Sequence, residues 1–171
     1  MNRRTFIRRG LFGGLLFAVG GSVGLLAWPS DQRLRPRRPL KALDERQFAV
    51  LAAVAARTVG APKADPITIA ERFDAQMALA PPEARADFGK LLLLFENALA
   101  GLVFAGRARP FTRLPPEAQD QVLAHWRDSR LAVRRSGYAA LRKLTQAAWY
   151  AAPEAWPDVG YPGPPQLVVP T

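Results

Sequence analysis

From residue 42 onward, apolar residues recur at intervals of three and four almost without interruption, and that spacing predicts helices. The strongest stretch is 83–104, where Phe88, Leu91, Leu92, Phe95, Leu99 and Leu102 form a stripe that Leu93 and Leu94 widen. Such width predicts a central helix buried on more than one face. Upstream, Phe48, Leu51, Ala55 and Val59 mark one face of a helix that Asp44 caps and that Gly60 and Pro62 stop. A second helix is expected over 66–79, with Ile69, Phe73, Met77 and Ala80 along one side. In FTRLPPEAQ, residues 111–119, Phe111 and Leu114 are apolar anchors, and Pro115-Pro116 opens a helix running towards Ser129 with Val122, Leu123 and Trp126 inward. Another follows over 131–151, with Tyr138, Leu141, Thr145, Ala148 and Trp149 on one side. No run of alternating β-branched residues interrupts this pattern before the tail. The expected fold is all-α, with about five helices in an irregular bundle.

The tail, APEAWPDVGYPGPPQLVVPT over 152–171, is too rich in proline and glycine to continue as a helix. It reads as an ordered strap closing the bundle, because Trp156 and Tyr161 can each bury a large area. Gly160 and Gly163 allow positive φ in a turn packed against Trp156, with Pro164 completing GYPGP.

Charge divides the chain. Formal net charge is +10, but residues 1–41 carry nine basic groups against the single acid Asp31, which leaves the remainder at +2. The helical body is therefore close to neutral and lacks the basic balance expected of a nucleic-acid-binding domain. There is no cysteine, so disulfides, thiolate metal sites, iron–sulfur clusters and C-x-x-C-H haem attachment are excluded. His125 is the one histidine, which argues against a zinc or haem site built by this chain alone. No base stands at an identifiable spacing from Ser129 or Ser136, and His125 reads as a surface or capping group. No catalytic, cofactor-binding or metal site is expected.

Arg127, Arg130 and Arg134 lie at i, i+3 and i+7, with Arg135, Arg142 and Lys143 nearby. The bland reading is a solvated face. The sharper one is a docking face for an acidic partner, with Tyr150, Trp156 and Tyr161 as aromatic anchors. For Trp126 and Trp149, at helical spacing, the expectation is core.

The N-terminus opens on NRRTFIRR, followed by the charge-free stretch GLFGGLLFAVGGSVGLLAW over 10–28. A basic segment before an apolar one is the pattern of an export leader. Asn2, the pair Arg3-Arg4, Thr5, the apolar Phe6-Ile7 and then Arg8 resemble the twin-arginine (Tat) consensus. Six glycines keep the segment only mildly hydrophobic, as Tat leaders tend to be, and each lowers helix propensity by about 1 kcal/mol. In a helix the segment spans about 28 Å, close to a bilayer core. A segment of that length can persist as an N-terminal anchor, and no A-x-A cleavage pattern stands before residue 30. Ser22 and Gly24 are the small residues that a cleavage would use. Residues 29–41 form a basic, proline-rich linker before a helical domain over 42–171.

The C-terminal pattern resembles the gluconate 2-dehydrogenase subunit 3 family. The parallels are Phe111-x-x-Leu114, Leu123, Trp126-x-x-Ser129, Arg135, Leu141 and the aromatic pair Trp149-Tyr150. Pro153, Trp156 and Gly160-Tyr161-x-Gly163-Pro164 complete them, and Phe48 and Leu51 fit more loosely. VGAPKADPI, residues 59–67, stands where a longer proline-rich linker is expected. The resemblance implies a non-catalytic small subunit of a periplasmic or membrane-bound dehydrogenase. Its implied partner is a large FAD-containing subunit of the glucose-methanol-choline type, often with a cytochrome c subunit carrying haem c. The Tat translocase and the inner membrane are the further expected partners, and nucleic acid is not. The Tat route carries folded proteins, and this chain has no cofactor that needs folding around before export. A leaderless FAD-containing partner carried along with it explains the leader. The alternative is an exported or anchored helical module that binds a protein unrelated to any oxidoreductase.

Overall fold

A computed structural model of the chain describes residues 34–96 and 110–164. The described residues are mostly helical and contain no strand. Five α-helices are seen among them: α1 Glu45–Thr58, α2 Pro66–Met77, α3 Pro82–Glu96, α4 Pro116–Arg127 and α5 Ala132–Tyr150. Three short 3-10 turns accompany these, at Phe111–Arg113, Pro153–Ala155 and Pro157–Val159. The apolar leader, the part of the third predicted helix beyond Glu96 (with Leu99 and Leu102) and the last residues of the tail lie outside the described residues.

Local chemistry sets the helix starts. Asp44 caps α1 in a reciprocal box: its carboxylate accepts from the Gln47 N–H at 2.7 Å, and the Gln47 side chain accepts from the Asp44 N–H at 3.1 Å. Asp65 caps α2, accepting from the N–H groups of Ile67 and Thr68, and Pro66 stands where no N–H is needed. Pro116 does the same for α4.

The sequence pattern points to the third helix as the central one, but the structure puts α1 there. Every residue from Phe48 to Ala55 is buried, because α2, α3 and α5 all pack around α1. Its run of alanines and valines is small enough for neighbours to close in on every side. In α3, Phe88, Leu91, Leu92 and Phe95 face inward, while Leu94 is half-buried and Leu93 is 37% exposed, so this helix keeps a solvent side.

Aromatic contacts join the layers. Phe73 of α2 meets Phe88 of α3 at 4.7 Å between ring centres. Phe95 lies 3.9 Å from the ring of Trp126 on α4 and edge-on to Phe111 at 6.1 Å. α5 crosses this cluster at Gly137, where an added Cβ would come within 2.9 Å of Leu91 Cδ1 and 3.1 Å of the Trp126 ring. The close crossing requires glycine.

Residues 34–43 do more than link. Their backbone N–H groups, without partners of their own in a proline-interrupted segment, are taken by carboxylates of α2. Glu71 accepts from Arg37 at 2.6 Å and from Arg38 at 3.1 Å. Asp74, 3% exposed, accepts from Lys41, Ala42 and Leu43 at 2.7, 2.9 and 2.8 Å. Leu34 and Leu40 pack against the core beside these bonds.

Candidate docking face

α4 and α5 meet at a tight corner, with α4 ending at Arg127 and α5 beginning at Ala132. The i, i+3, i+7 spacing of Arg127, Arg130 and Arg134 crosses this break, so the three do not form one helical row. Arg127, at the end of α4, lies along Asp128 with two hydrogen bonds of 2.9 and 2.8 Å. Hydrogen bonding to Asp128 raises the guanidinium's pKa and lowers that of the carboxyl. Arg130 is exposed in the connecting turn. Arg134, half-buried on α5, sits over the Trp126 ring at 5.9 Å, with Nη1 3.4 Å from His125 Nε2. Arg135 donates to the carbonyls of Ser129 and Arg130 at 2.7 and 2.9 Å. A cation there satisfies carbonyls that the turn leaves without helical partners.

The aromatic residues separate into two groups. Phe111, Trp126 and Trp149 are 0%, 5% and 2% exposed, and Leu114 is half-buried against the same core. Trp149 Nε1 is buried and has no hydrogen-bond partner among the described residues. Tyr150, Trp156 and Tyr161 instead gather at the surface. Trp156 Nε1 donates to the Tyr150 carbonyl at 3.2 Å. The Tyr161 ring stands edge-on to Trp156 at 5.3 Å, and its N–H donates to the Trp156 carbonyl at 3.0 Å. Two glycines shape this turn. Gly160 has φ 65° and Gly163 φ 106°, and a Cβ on Gly163 would meet the Trp156 ring at 3.1 Å. Tyr150 remains 40% exposed and Tyr161 46%, with Val159 at 55% beside them. The exposed Pro164 follows directly. Below, Glu154 pairs with Arg72 of α2 and Ala155 is fully buried, so the turns rest on the body.

The buried polar groups left no sequence signal. Glu96, 8% exposed, accepts from the Thr112 N–H at 3.0 Å and from its hydroxyl at 2.6 Å. Burial raises the pKa of Glu96 despite these bonds and the nearby Arg46 and Arg113. Thr58 and Thr145 share a hydrogen bond of 2.9 Å between α1 and α5. Asp65 shows the opposite balance. Burial raises its pKa, but the Thr68 hydroxyl, the Arg37 guanidinium and the Thr68 N–H outweigh it and hold the carboxyl at about 2.

Among the described residues, no group of three or more His, Cys, Asp or Glu side chains is placed to hold a metal ion, and no helix is long and apolar enough to cross a membrane. Arg3, Arg4, Phe6 and Ile7 lie outside the described residues. The chain matches no family model, no curated protein and no solved structure.

Proposed function

We propose that this chain is a non-catalytic small subunit of a periplasmic or membrane-associated, FAD-dependent dehydrogenase, and that it aids the export, folding and assembly of its large partner. The observation that carries this reading is the surface cluster of Tyr150, Trp156 and Tyr161. The Trp156 and Tyr161 rings are fixed by the indole hydrogen bond to the Tyr150 carbonyl, the edge-on ring contact and two positive-φ glycines, while Tyr150 and Tyr161 remain 40% and 46% exposed. Fixed aromatic side chains present large contact area with little entropy left to lose, which suits them to anchoring a partner. The same residues carry the resemblance to the gluconate 2-dehydrogenase subunit 3 family. FAD, and haem c where a cytochrome c subunit is present, belong to the partners in this reading. The leader takes the chain and its folded companion through the Tat translocase to the periplasmic side of the inner membrane, where residues 10–28 either remain as an anchor or are removed.

Two measurements test this. The full chain, co-expressed with its neighbouring reading frames, is expected to co-purify with a yellow, FAD-containing protein. The double change Arg3→Lys, Arg4→Lys is expected to strand that protein in the cytoplasm. A partner that still reaches the periplasm, or that carries its own leader, refutes the export role. A chain that pairs with no flavoprotein favours the stand-alone binding module.

A further inference from the structure

Between Asp128 and Glu154 the chain holds Arg130, Arg134, Arg135, Arg142 and Lys143 and no acid at all. Arg134 and Arg135 have local work, against Trp126 and His125 and on the carbonyls of residues 129 and 130. Arg142 and Lys143 are exposed, and among the described residues neither forms an ion pair. Helix geometry aligns these groups. Seven residues are close to two turns, so Ser136, Lys143 and Tyr150 share one row, and Arg135 and Arg142 share the next. Lys143 and Tyr150 stand about 10 Å apart along the axis. Beyond Tyr150 the row continues into Trp156 and Tyr161, because the Tyr150 carbonyl holds the Trp156 indole.

The composition of this face selects its partner. A helix that lies on a bilayer turns large apolar side chains outward between its cations. Here the exposed uncharged positions between Arg135 and Tyr150 are Ala139 and Ala147. Guanidinium and aromatic side chains are instead the groups enriched in protein interfaces. An excess of positive charge with no internal counterion is matched by carboxylates on the other side.

We propose that the outward face of α5, from Arg135 through Arg142 and Lys143 to Tyr150, Trp156 and Tyr161, binds a carboxylate-rich patch on a folded protein partner. The partner's carboxylates meet Arg142 and Lys143, and its apolar side chains meet the tyrosine rings. This rests on the small-subunit reading for the partner's identity, the FAD-containing large subunit. It places the docking cations at Arg142 and Lys143 rather than at Arg127, Arg130 and Arg134.

The experiment uses the full chain co-expressed with that large subunit and measures affinity as a function of salt. Arg142→Glu with Lys143→Glu is expected to weaken the complex by about ten-fold or more at low salt and to flatten its salt dependence. Tyr150→Ala is expected to weaken it several-fold while leaving the salt dependence in place, because the Trp156 hydrogen bond uses only the Tyr150 backbone. The neutral pair Arg142→Gln, Lys143→Gln, with unfolding midpoints for every variant, separates lost binding from lost folding. Absence of any flavin-containing complex with the unaltered chain overturns both this inference and the small-subunit reading. A complex that forms but tolerates both double variants within about two-fold overturns this inference alone. Phosphatidylglycerol vesicles provide the last arm. If the double reversal abolishes vesicle binding and leaves the flavoprotein complex intact, the face belongs to lipid and the inference fails.

Discussion

Asp74→Ala removes the acceptor for three backbone N–H groups at once. The Leu43 N–H is buried, and a buried donor left unpaired costs about 1–3 kcal/mol. The N–H groups of Lys41 and Ala42 lie nearer the surface, where water can replace the carboxylate, so each adds about 0.5 kcal/mol. The expected loss is therefore about 2–4 kcal/mol, a large share of the stability of a small domain. Asp74→Asn keeps one acceptor oxygen but turns an amide N–H₂ towards the segment, and about half that loss is expected. Urea unfolding of the full chain measures the change, read as a shifted midpoint at constant slope. Hydrogen exchange localises it: protection of the amides of residues 41–43 should fall first, while Val54, fully buried in α1, changes only with global stability. If Asp74→Ala lies within about 0.5 kcal/mol of the unaltered protein, or protection at residues 41–43 is unchanged, the account of this clamp is wrong.

Phe95→Ala, at a fully buried ring packed on Trp126 and Phe111, is expected to lower stability by about 3–5 kcal/mol in the same unfolding assay. Glu96→Gln tests the raised pKa of the buried carboxyl. With the folded-state value above the unfolded one, the folded protein holds the extra proton, so stability falls as pH rises through that window and stays lower above it. The glutamine variant should lose this dependence, and an identical stability–pH profile for both proteins would refute the assignment.

Much of the helical organisation was readable because helix starts are local. Asp44 and Asp65 accept from N–H groups within one turn, and Pro66 and Pro116 stand in the first turn where no N–H is needed, so the predicted starts for α1, α2 and α4 fall close to the observed ones. Centrality was not readable. Single-helix periodicity marks the inward face of α3, but how many neighbours surround α1 depends on where the other helices pack. The residues of the candidate docking face divide in the same way. GYPGP marks the turn around Trp156 because positive φ belongs to individual residues, and Gly160 and Gly163 adopt it. The arginine spacing spans the break expected near Ser129 and seen between residues 127 and 132, so it defines no single row, and how the three cations sit across that corner is set by packing.

The sequence by itself determined the helical class of the described body, most of its boundaries and the inward side chains, through periods and caps acting over a few residues. Only the tertiary structure decided that residues 37–43 are bound by Glu71 and Asp74, that Glu96 holds Thr112, and that Thr58 meets Thr145. These partners lie from 16 to 87 residues apart in the chain. A carboxylate or hydroxyl carries the same letter whether water or a distant N–H satisfies it. Burial decides which, and burial is a property of the packed helices together.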